Sequence, residues 1–466
     1  MTIYKPYDPD QPYLLPPILQ EWLPESHLAN FIHEMVGELD LGAIHKKYLK
    51  RKRDGRGQKP FDPGMMVRLL FYAYCTGKPS SRKIEKASYE EIAYRVLTAN
   101  QHPDHDTIAA FRRENLQELA ELFSQVLRLC QAVGLVKLGH VALDGTKVKA
   151  NASKHKAMSY GRMSEAEQQL EQEVAELLKK AEAADEAEDR HYGKGKSEEL
   201  LPKELTRRQQ RLEKIRQAKV ALEQEAKEQA RQAAAEAEAK IARRRRQEEE
   251  TGQKAKGREP QVPDAEQVVP EAKAQRNFTD PESRIMKDGA SKSFEQAYNA
   301  QAVVDAHRQV IVAAEVTDQP NDKQQLVPML EKAAANLGST PEKASADTGY
   351  FSEAAVTDER LKDIDLYVAT RRQKHGEPEL PETGPGATVK QQMEEKLRTA
   401  AGRAVYKMRK AIVEPVFGQI KEVRGFRRFS FRGREKVRAE WRLICLTHNV
   451  LKLYREKVSA PRLAAA

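Results

Sequence analysis

The sequence predicts an α/β protein, a mixed sheet flanked by helices, with an all-α N-terminal domain and a long helical-hairpin insertion. Three observations predict it. Up to about residue 134, apolar residues recur at i, i+3, i+4 spacing between short turns. From Lys137 onward, short apolar runs and helical patterns follow the order strand, strand, strand, helix, strand, helix, strand, helix. Between the first two strands lie two long charged segments whose few large apolar residues keep a roughly heptad register. The expected division is 1–134 for the helical domain, 135–160 with 276–455 for a split sheet domain, 161–275 for the hairpin and a linker, and 456–466 for a tail.

After a proline-rich lead, Ser26 to about Tyr48 reads as one amphipathic helix carrying Leu28, Phe31, Ile32, Met35, Val36 and Leu39. HKKYLKRKRDGRGQKP then reads as a basic loop, in which Asp54 is the single acid. Asp62 and Pro63 form an N-cap and N1 pair opening MMVRLLFYAYC. Ser88 and Glu91 have capping-box spacing ahead of EEIAYRVLTAN. After the turn HPDHD, a longer helix places Ile108, Phe111, Leu116, Leu119, Leu122, Phe123, Val126 and Leu127 on one face. Short helices with tight turns and basic connections fit a helix-turn-helix type of domain, with Lys50, Arg51 and Arg53 as candidate DNA contacts. A generic helical bundle fits the same text. His102 and His105 have no cysteine nearby and a proline between them, so HPDHD reads as a polar turn rather than a metal site.

Lys137 to Val148 reads as a strand. Met163 to about Asp189 is helical, with a seam of Leu170, Val174, Leu177 and Leu178. A break at HYGKGKSEELLP precedes a second helix with Leu205, Leu212, Ile215, Leu222 and Ala226, which runs through Arg243–Arg246. GKGKS is not a phosphate loop, because that spacing needs glycine where Arg190 stands. The arginine run fits a solvated helix face or a DNA contact. TGQKAKGREPQVPDAEQVVPEAKAQRN is low in apolar residues and reads as a flexible linker.

TDPESRIMKDGASKSFEQ reads as an exposed, ordered loop. Ala297–Asp305 and Gln309–Thr317 read as a strand hairpin. DQPNDKQQLVPMLEKAAANLG is a turn and a helix, Lys343–Asp347 a short strand, and Ser352 the cap of a brief helix. Ile364–Ala369 is a further strand, followed by a loop rich in proline and glycine and helices from about Gln391 to Ile420. A closing amphipathic helix carries Trp441, Ile444, Cys445, Asn449, Leu451 and Leu453, with Trp441 in the core.

Composition narrows the partners. Lysine and arginine outnumber acids 80 to 70, giving a net charge of +10 and a pI near 9.2, which favours a polyanion. The three cysteines, Cys75, Cys130 and Cys445, are far apart and form no CxxC, which excludes a disulfide framework and a zinc knuckle. They fit free buried thiols in a reducing cytoplasm. No apolar run reaches membrane-spanning length and no leader is evident, so a soluble cytoplasmic protein is expected.

The chemistry starts at VALDGTKV. Here an apolar run ends in Asp144, and Gly145 lets a ligand approach closely, which suits metal chemistry at a strand tip. A strand end followed by a turn has the same text. Asp347 repeats the pattern, with Thr348 and Gly349 after a short strand. If the two strands are parallel neighbours, both carboxylates face one pocket. Glu414 lies five residues after Arg409 and seven before Lys421, about two turns, so Glu414 and Lys421 share a helix face with Tyr406 and Phe417 close by. Three carboxylates suit magnesium, and two such ions about 3.5–4 Å apart can serve an in-line displacement at phosphorus. Farther on, Arg424, Arg427, Arg428, Arg432 and Arg434 interleave with Phe426, Phe429 and Phe431. That pattern suits contact with nucleic-acid backbone and bases. Phenylalanines in the core with arginines outside would read the same way.

Taken in order, LDGTKVKANAS, SADTGY and YKMRKAIVEPVFGQIK resemble the bacterial insertion-sequence transposases of the DDE type, whose catalytic domain is ribonuclease H-like. Tyr406, Arg409, Glu414 and Lys421 are similar to the tyrosine-arginine-glutamate-lysine signature of one large branch. FDPGMMVRLLFYAYCTGKPSSRKIE and PDHDTIAAFRREN resemble that branch's helical N-terminal domain, and TDPESRIMK and AYNAQAVVD its sheet region. The resemblance implies that Asp144, Asp347 and Glu414 bind two Mg2+ ions, with Mn2+ able to substitute. It implies cleavage at the element's ends and transfer of the freed 3′-hydroxyl to target DNA. Tyr406, Arg409 and Lys421 would hold the transferred end, and Arg424, Arg427 and Arg428 would add DNA contacts; an ordinary basic helix face is the alternative for Arg409 and Lys421. The implied partners are double-stranded DNA, as terminal inverted repeats and target, and a second copy of the chain in a synaptic homodimer. The alternatives are a metal-dependent nuclease of the same fold and an inactive DNA-binding protein. One departure stands out: 347−144 = 203 residues separate the two aspartates, because the hairpin lies between them, while only 414−347 = 67 separate Asp347 from Glu414.

Overall fold

A computed structural model describes residues 18–51, 60–192, 203–252, 257–288, 292–371 and 387–464. Arg53, the side chains of Lys50 and Arg51, GKGKS and most of HGEPELPETGPGATVK lie outside the described residues. The chain divides into two compact units, Met1–Lys149 with Tyr298–Ala466, and Ala150–Ala297.

The first unit opens with helices. The stretch expected as one helix from Ser26 is two, α1 (Leu28–Gly37) and α2 (Gly42–Arg51). Asp40 makes the break, its carboxylate accepting from the Gly42 N–H at 2.8 Å while its own N–H donates to Gln125. The start of the expected basic loop is therefore helical, and Lys47 pairs with Glu118 at 2.5 Å. α3 (Pro63–Cys75) starts as expected, with Asp62 accepting from the Met65 N–H at 2.8 Å. Such a cap contributes about 1 kcal/mol. α4 (Ser81–Glu90) and α5 (Ile92–Leu97) are separated by the extended backbone of Glu91. The expected capping box does not form, because the Ser88 hydroxyl donates to the Glu85 carbonyl inside α4 instead. The single long helix after HPDHD is also two, α6 (His105–Glu114) and α7 (Leu116–Ala132), parted at Asn115, whose side-chain amide donates back to the Phe111 carbonyl. His102 stacks on Tyr89, and His105 pairs with Glu85 at 2.8 Å. β1 (Val141–Lys149) follows, and Asp144 is its fourth residue rather than its tip.

The second unit is built on a helical pair. A short β2 (Ala157–Ser159) leads into α8 (Tyr160–Tyr192), and α9 (Lys203–Thr251) follows. Met163 and Leu170 pack against Leu212, Ile215, Ala218 and Leu222. The ion pairs fix the antiparallel sense: Glu167 meets Lys219 and Arg216, whereas Glu173, farther along α8, meets Arg208, earlier in α9. Leu178, expected in the seam, is exposed. The segment read as a flexible linker is fastened to α9 where it is described: Glu266 pairs with Arg231 at 2.6 Å, and Arg244 donates to the Gly257 and Arg258 carbonyls. It ends in β3 (Gln275–Asn277), antiparallel to β2. TDPESRIMK is not a loop, because β4 (Arg284–Lys287) pairs antiparallel with the first residues of β5 (Phe294–Asp305).

Back in the first unit, β6 (Ile311–Thr317) completes the expected hairpin with β5. After α10 (Leu326–Leu337) come β7 (Lys343–Ala346), α11 (Glu353–Val356), capped by Ser352, and β8 (Asp365–Val368). The strand order is β6, β5, β1, β7, β8, with β5–β6 antiparallel and β1–β7 and β7–β8 parallel. Three helices close the unit: α12 (Val389–Arg398), α13 (Ala400–Gly418) and α14 (Arg434–Ala464). α14 packs along α7 and β6, and its fully buried Trp441 donates its indole N–H to the Gln301 carbonyl at 2.9 Å. Among the described residues no helix is long and apolar enough to cross a membrane.

Candidate active site

Parallel pairing of β1 with β7 runs from Val141↔Ala344 to Leu143↔Ala346. Asp144, within β1, and Asp347, just after β7, are the next residues along, so the register sets the two carboxylates side by side where the pairing ends. Each is turned by a local hydrogen bond. The Gly145 N–H donates to Asp144 Oδ1 and the Gly349 N–H to Asp347 Oδ1, both at 2.8 Å. The second bond starts the short 3-10 turn Thr348–Tyr350.

Asp144 meets a cation from α13, Arg409, whose Nη1 lies 3.1 Å from Oδ2. Burial nevertheless pushes the Asp144 carboxyl up to about 6; Arg409 opposes this, and Asp347 and Asp322 add to it. Desolvation and like charge therefore outweigh one guanidinium. For Arg409 burial pulls downward, but Asp144, Tyr406 and Asp347 together hold its pKa above the usual arginine value, so it stays cationic. Its guanidinium also lies over the Tyr406 ring, 5.7 Å from the centroid.

Asp322 is the third carboxylate near this centre. It accepts from Asn299 Nδ2 at 2.6 Å and Gln301 Nε2 at 2.7 Å, both from β5. Sequence reasoning places Asp322 in a plain turn and passes over Asn299 and Gln301. The available signal is two amides at i, i+2 within an otherwise apolar strand, on one face of the sheet. Tyr350, fully buried, donates its hydroxyl to Gln301 Oε1. Lys147 donates to the Pro320 carbonyl at 2.9 Å, and burial lowers its pKa against the pull of Asp322, Asp347 and Asp144.

The C-terminal half of α13 is irregular for a definite reason. Pro415 cannot donate to the Ala411 carbonyl, which takes the side-chain amide of Gln309 instead, at 2.9 Å. A π turn, Gln419–Val423, follows, and from it Lys421 Nζ reaches Thr146 Oγ1 and the Lys147 carbonyl on β1, each at 3.2 Å. Insertions of this kind recur at functional sites. Glu414 lies exposed on the same helix. No hydrogen bond or ion pair joins it to Asp144 or Asp347. Among the described residues no group of three or more His, Cys, Asp or Glu side chains is placed to hold a metal ion.

The basic-aromatic stretch divides cleanly. Phe426 and Phe429 are core, and so is Arg424, whose guanidinium donates to the Ile444 carbonyl and the Thr447 hydroxyl. Burial lowers its pKa to about 10. Arg424 is therefore removed from the expected DNA contacts. Arg427 and Arg428 are exposed, Arg427 pairing with Glu422 and Arg428 bridging to Lys149 through its backbone.

Two family models match the chain. One, described as Transposase domain (DUF772), covers residues 17–114, and the other, described as Transposase DDE domain, covers residues 264–450. No curated protein and no solved structure matches it. The second model runs from before β3 into α14, and its DDE domain implies a ribonuclease H-like fold. With the two models together covering more than half of its length, the chain belongs to the DDE transposases of insertion sequences.

Proposed function

We propose that the protein binds the ends of its insertion sequence and catalyses metal-dependent DNA strand cleavage and strand transfer. The observation that carries this reading is the placement of Asp144 and Asp347 side by side, each one residue beyond the last paired residues of the parallel β1–β7 ladder. The donors suit a hard divalent cation such as Mg2+ or Mn2+: they are carboxylate oxygens, and burial, with the neighbouring Asp347 adding to it, already raises the Asp144 pKa. Asp144 and Asp347 would hold it, with Glu414 of α13 as the third proposed ligand. When bound, such ions supply charge neutralisation at the reacting phosphate and a more acidic attacking water or hydroxyl.

The chain's own residues have separable tasks. Arg409 balances charge at Asp144 and, stacked by Tyr406, presents a guanidinium toward a phosphate oxygen. Lys421 is held over β1 by Thr146 and adds a second cation on that strand, two residues beyond Asp144. Arg427 and Arg428 extend the basic surface to the DNA backbone. The N-terminal helices and the basic segment carrying Lys50, Arg51 and Arg53 are assigned to end recognition. Pairing two element ends calls for a synaptic homodimer, and a DNA substrate of this kind places the protein in the cytoplasm at the nucleoid.

The test is strand joining. A duplex carrying the element's terminal repeat, pre-cleaved to expose its 3′-hydroxyl, is incubated with the protein, plasmid DNA and Mg2+. Joined product supports the transposase reading; cleavage of intact ends without any joining identifies a nuclease.

A further inference from the structure

The loop between β6 and α10 is fastened to the strands around the acidic pair. Asn299 donates to the Gln319 carbonyl at 3.1 Å and to Asp322, Gln301 donates to Asp322, and Lys147 donates to the Pro320 carbonyl. Two glycines make room for Asp322. A Cβ on Gly145 would sit 3.0 Å from Asp322 Oδ1 and 2.9 Å from Asn299 Oδ1, and would also run into the Gln301 amide. A Cβ on Gly349 would sit 3.3 Å from Asp322 Oδ2. Asp322 thus occupies the space that a side chain at either glycine would need, beside the residue after Asp144 and the turn that follows Asp347. Its partners are interior groups: Asn299 and Gln301 are fully buried, and Asn299 Oδ1 has no hydrogen-bond partner.

We propose that Asp322 is a positioning residue, which clamps Gly145 and the Thr348–Tyr350 turn and so sets the separation and orientation of Asp144 and Asp347. The inference rests on the reading of those two residues as the reactive centre. Both β5 amides donate to one oxygen of Asp322, which needs an acceptor with two free lone pairs. A carboxylate meets that need, and so does the carbonyl oxygen of an asparagine. Reacting groups must be held to fractions of an ångström, and small misplacements cost about a hundredfold in rate.

The full-length protein is compared as wild type, Asp322→Ala, Asp322→Asn and Asp144→Asn. Measured are single-turnover cleavage of terminal-repeat duplex in Mg2+, DNA affinity, and melting temperature. The expected result is a loss of about ten- to a hundredfold in maximal rate for Asp322→Ala. DNA affinity should stay within about twofold, and Asp322→Asn should restore most of the rate. A folded Asp322→Ala protein that cleaves like wild type overturns the proposal. So does an Asp322→Asn protein as slow as Asp322→Ala, since only charge would then have been lost. Asp144→Asn separates the two ideas: if it too cleaves normally, the reading of the centre fails, whereas full activity in Asp322→Ala alone removes only the clamp.

Discussion

Arg409 Nη1 lies 3.1 Å from Asp144 Oδ2, in a pair whose side chains are only 9% and 20% exposed. Breaking a buried pair by removing one partner costs about 3–5 kcal/mol, and the partial exposure of Asp144 places this one near the lower end. Arg409→Gln should therefore lower stability by about 3 kcal/mol, read as a lower urea midpoint at unchanged slope. An unchanged midpoint would mean that the pair is solvated and that Arg409 serves DNA alone.

Arg424 and Arg428 are close in sequence but lie in different environments, one inside the core and one exposed. Arg424→Ala should destabilise by about 2–4 kcal/mol, because the Ile444 carbonyl and Thr447 hydroxyl lose their donor and a cavity opens. Arg428→Ala should leave melting within about 0.5 kcal/mol. It should also lower the salt dependence of DNA binding by about one unit of log–log slope. Reversed phenotypes would show that burial has been assigned to the wrong arginine.

Glu414 is exposed, so its role can be tested without a stability penalty. Glu414→Gln should melt within about 0.5 kcal/mol of wild type and yet lose cleavage by at least about a hundredfold. Retained cleavage would leave Asp144 and Asp347 without Glu414 as a co-ligand.

His448 is fully enclosed between the Gln419 side chain and the Gln309 carbonyl, and burial holds its pKa well below the ordinary value. The folded pKa lies below the unfolded one, so the unfolded chain binds the extra proton as pH falls through about 6.5. Stability is fully present above that pH and is lost below it, by up to about 1.4 kcal/mol per pH unit. Urea unfolding between pH 7 and pH 5 should show a steeper fall for wild type than for His448→Gln. Equal slopes would contradict the assignment. Glu440, buried with its pKa raised, contributes the opposite sign and is common to both proteins.

Much of this is legible in the sequence, for identifiable reasons. β5, β6, β7 and β8 are short apolar runs between strong turn signals, and Asp62-Pro63 is a cap that works from local geometry alone. The two aspartates are visible because each follows an apolar run and precedes small residues, Gly145 in one case and Thr348 and Gly349 in the other, in the same order. Less legible is whatever depends on distant partners. Asp40 splits the first helix with the help of Gln125, and β4 is a strand only because β5 lies beside it. Ser88 satisfies the capping-box spacing but finds a nearer acceptor. Arg424 and Arg428 look alike in text, and only packing against α14 separates them. Asp322 sits in DQPND, an ordinary turn until Asn299 and Gln301 are folded against it.

Asp144 and Asp347 together form the proposed reactive centre. Its most direct measurement is Mg2+-dependent cleavage of terminal-repeat duplex by Asp144→Asn and Asp347→Asn proteins, with DNA affinity measured alongside. The expected result is a loss of at least about a hundredfold in cleavage for each variant with binding intact. Cleavage at the wild-type rate in either variant would contradict it.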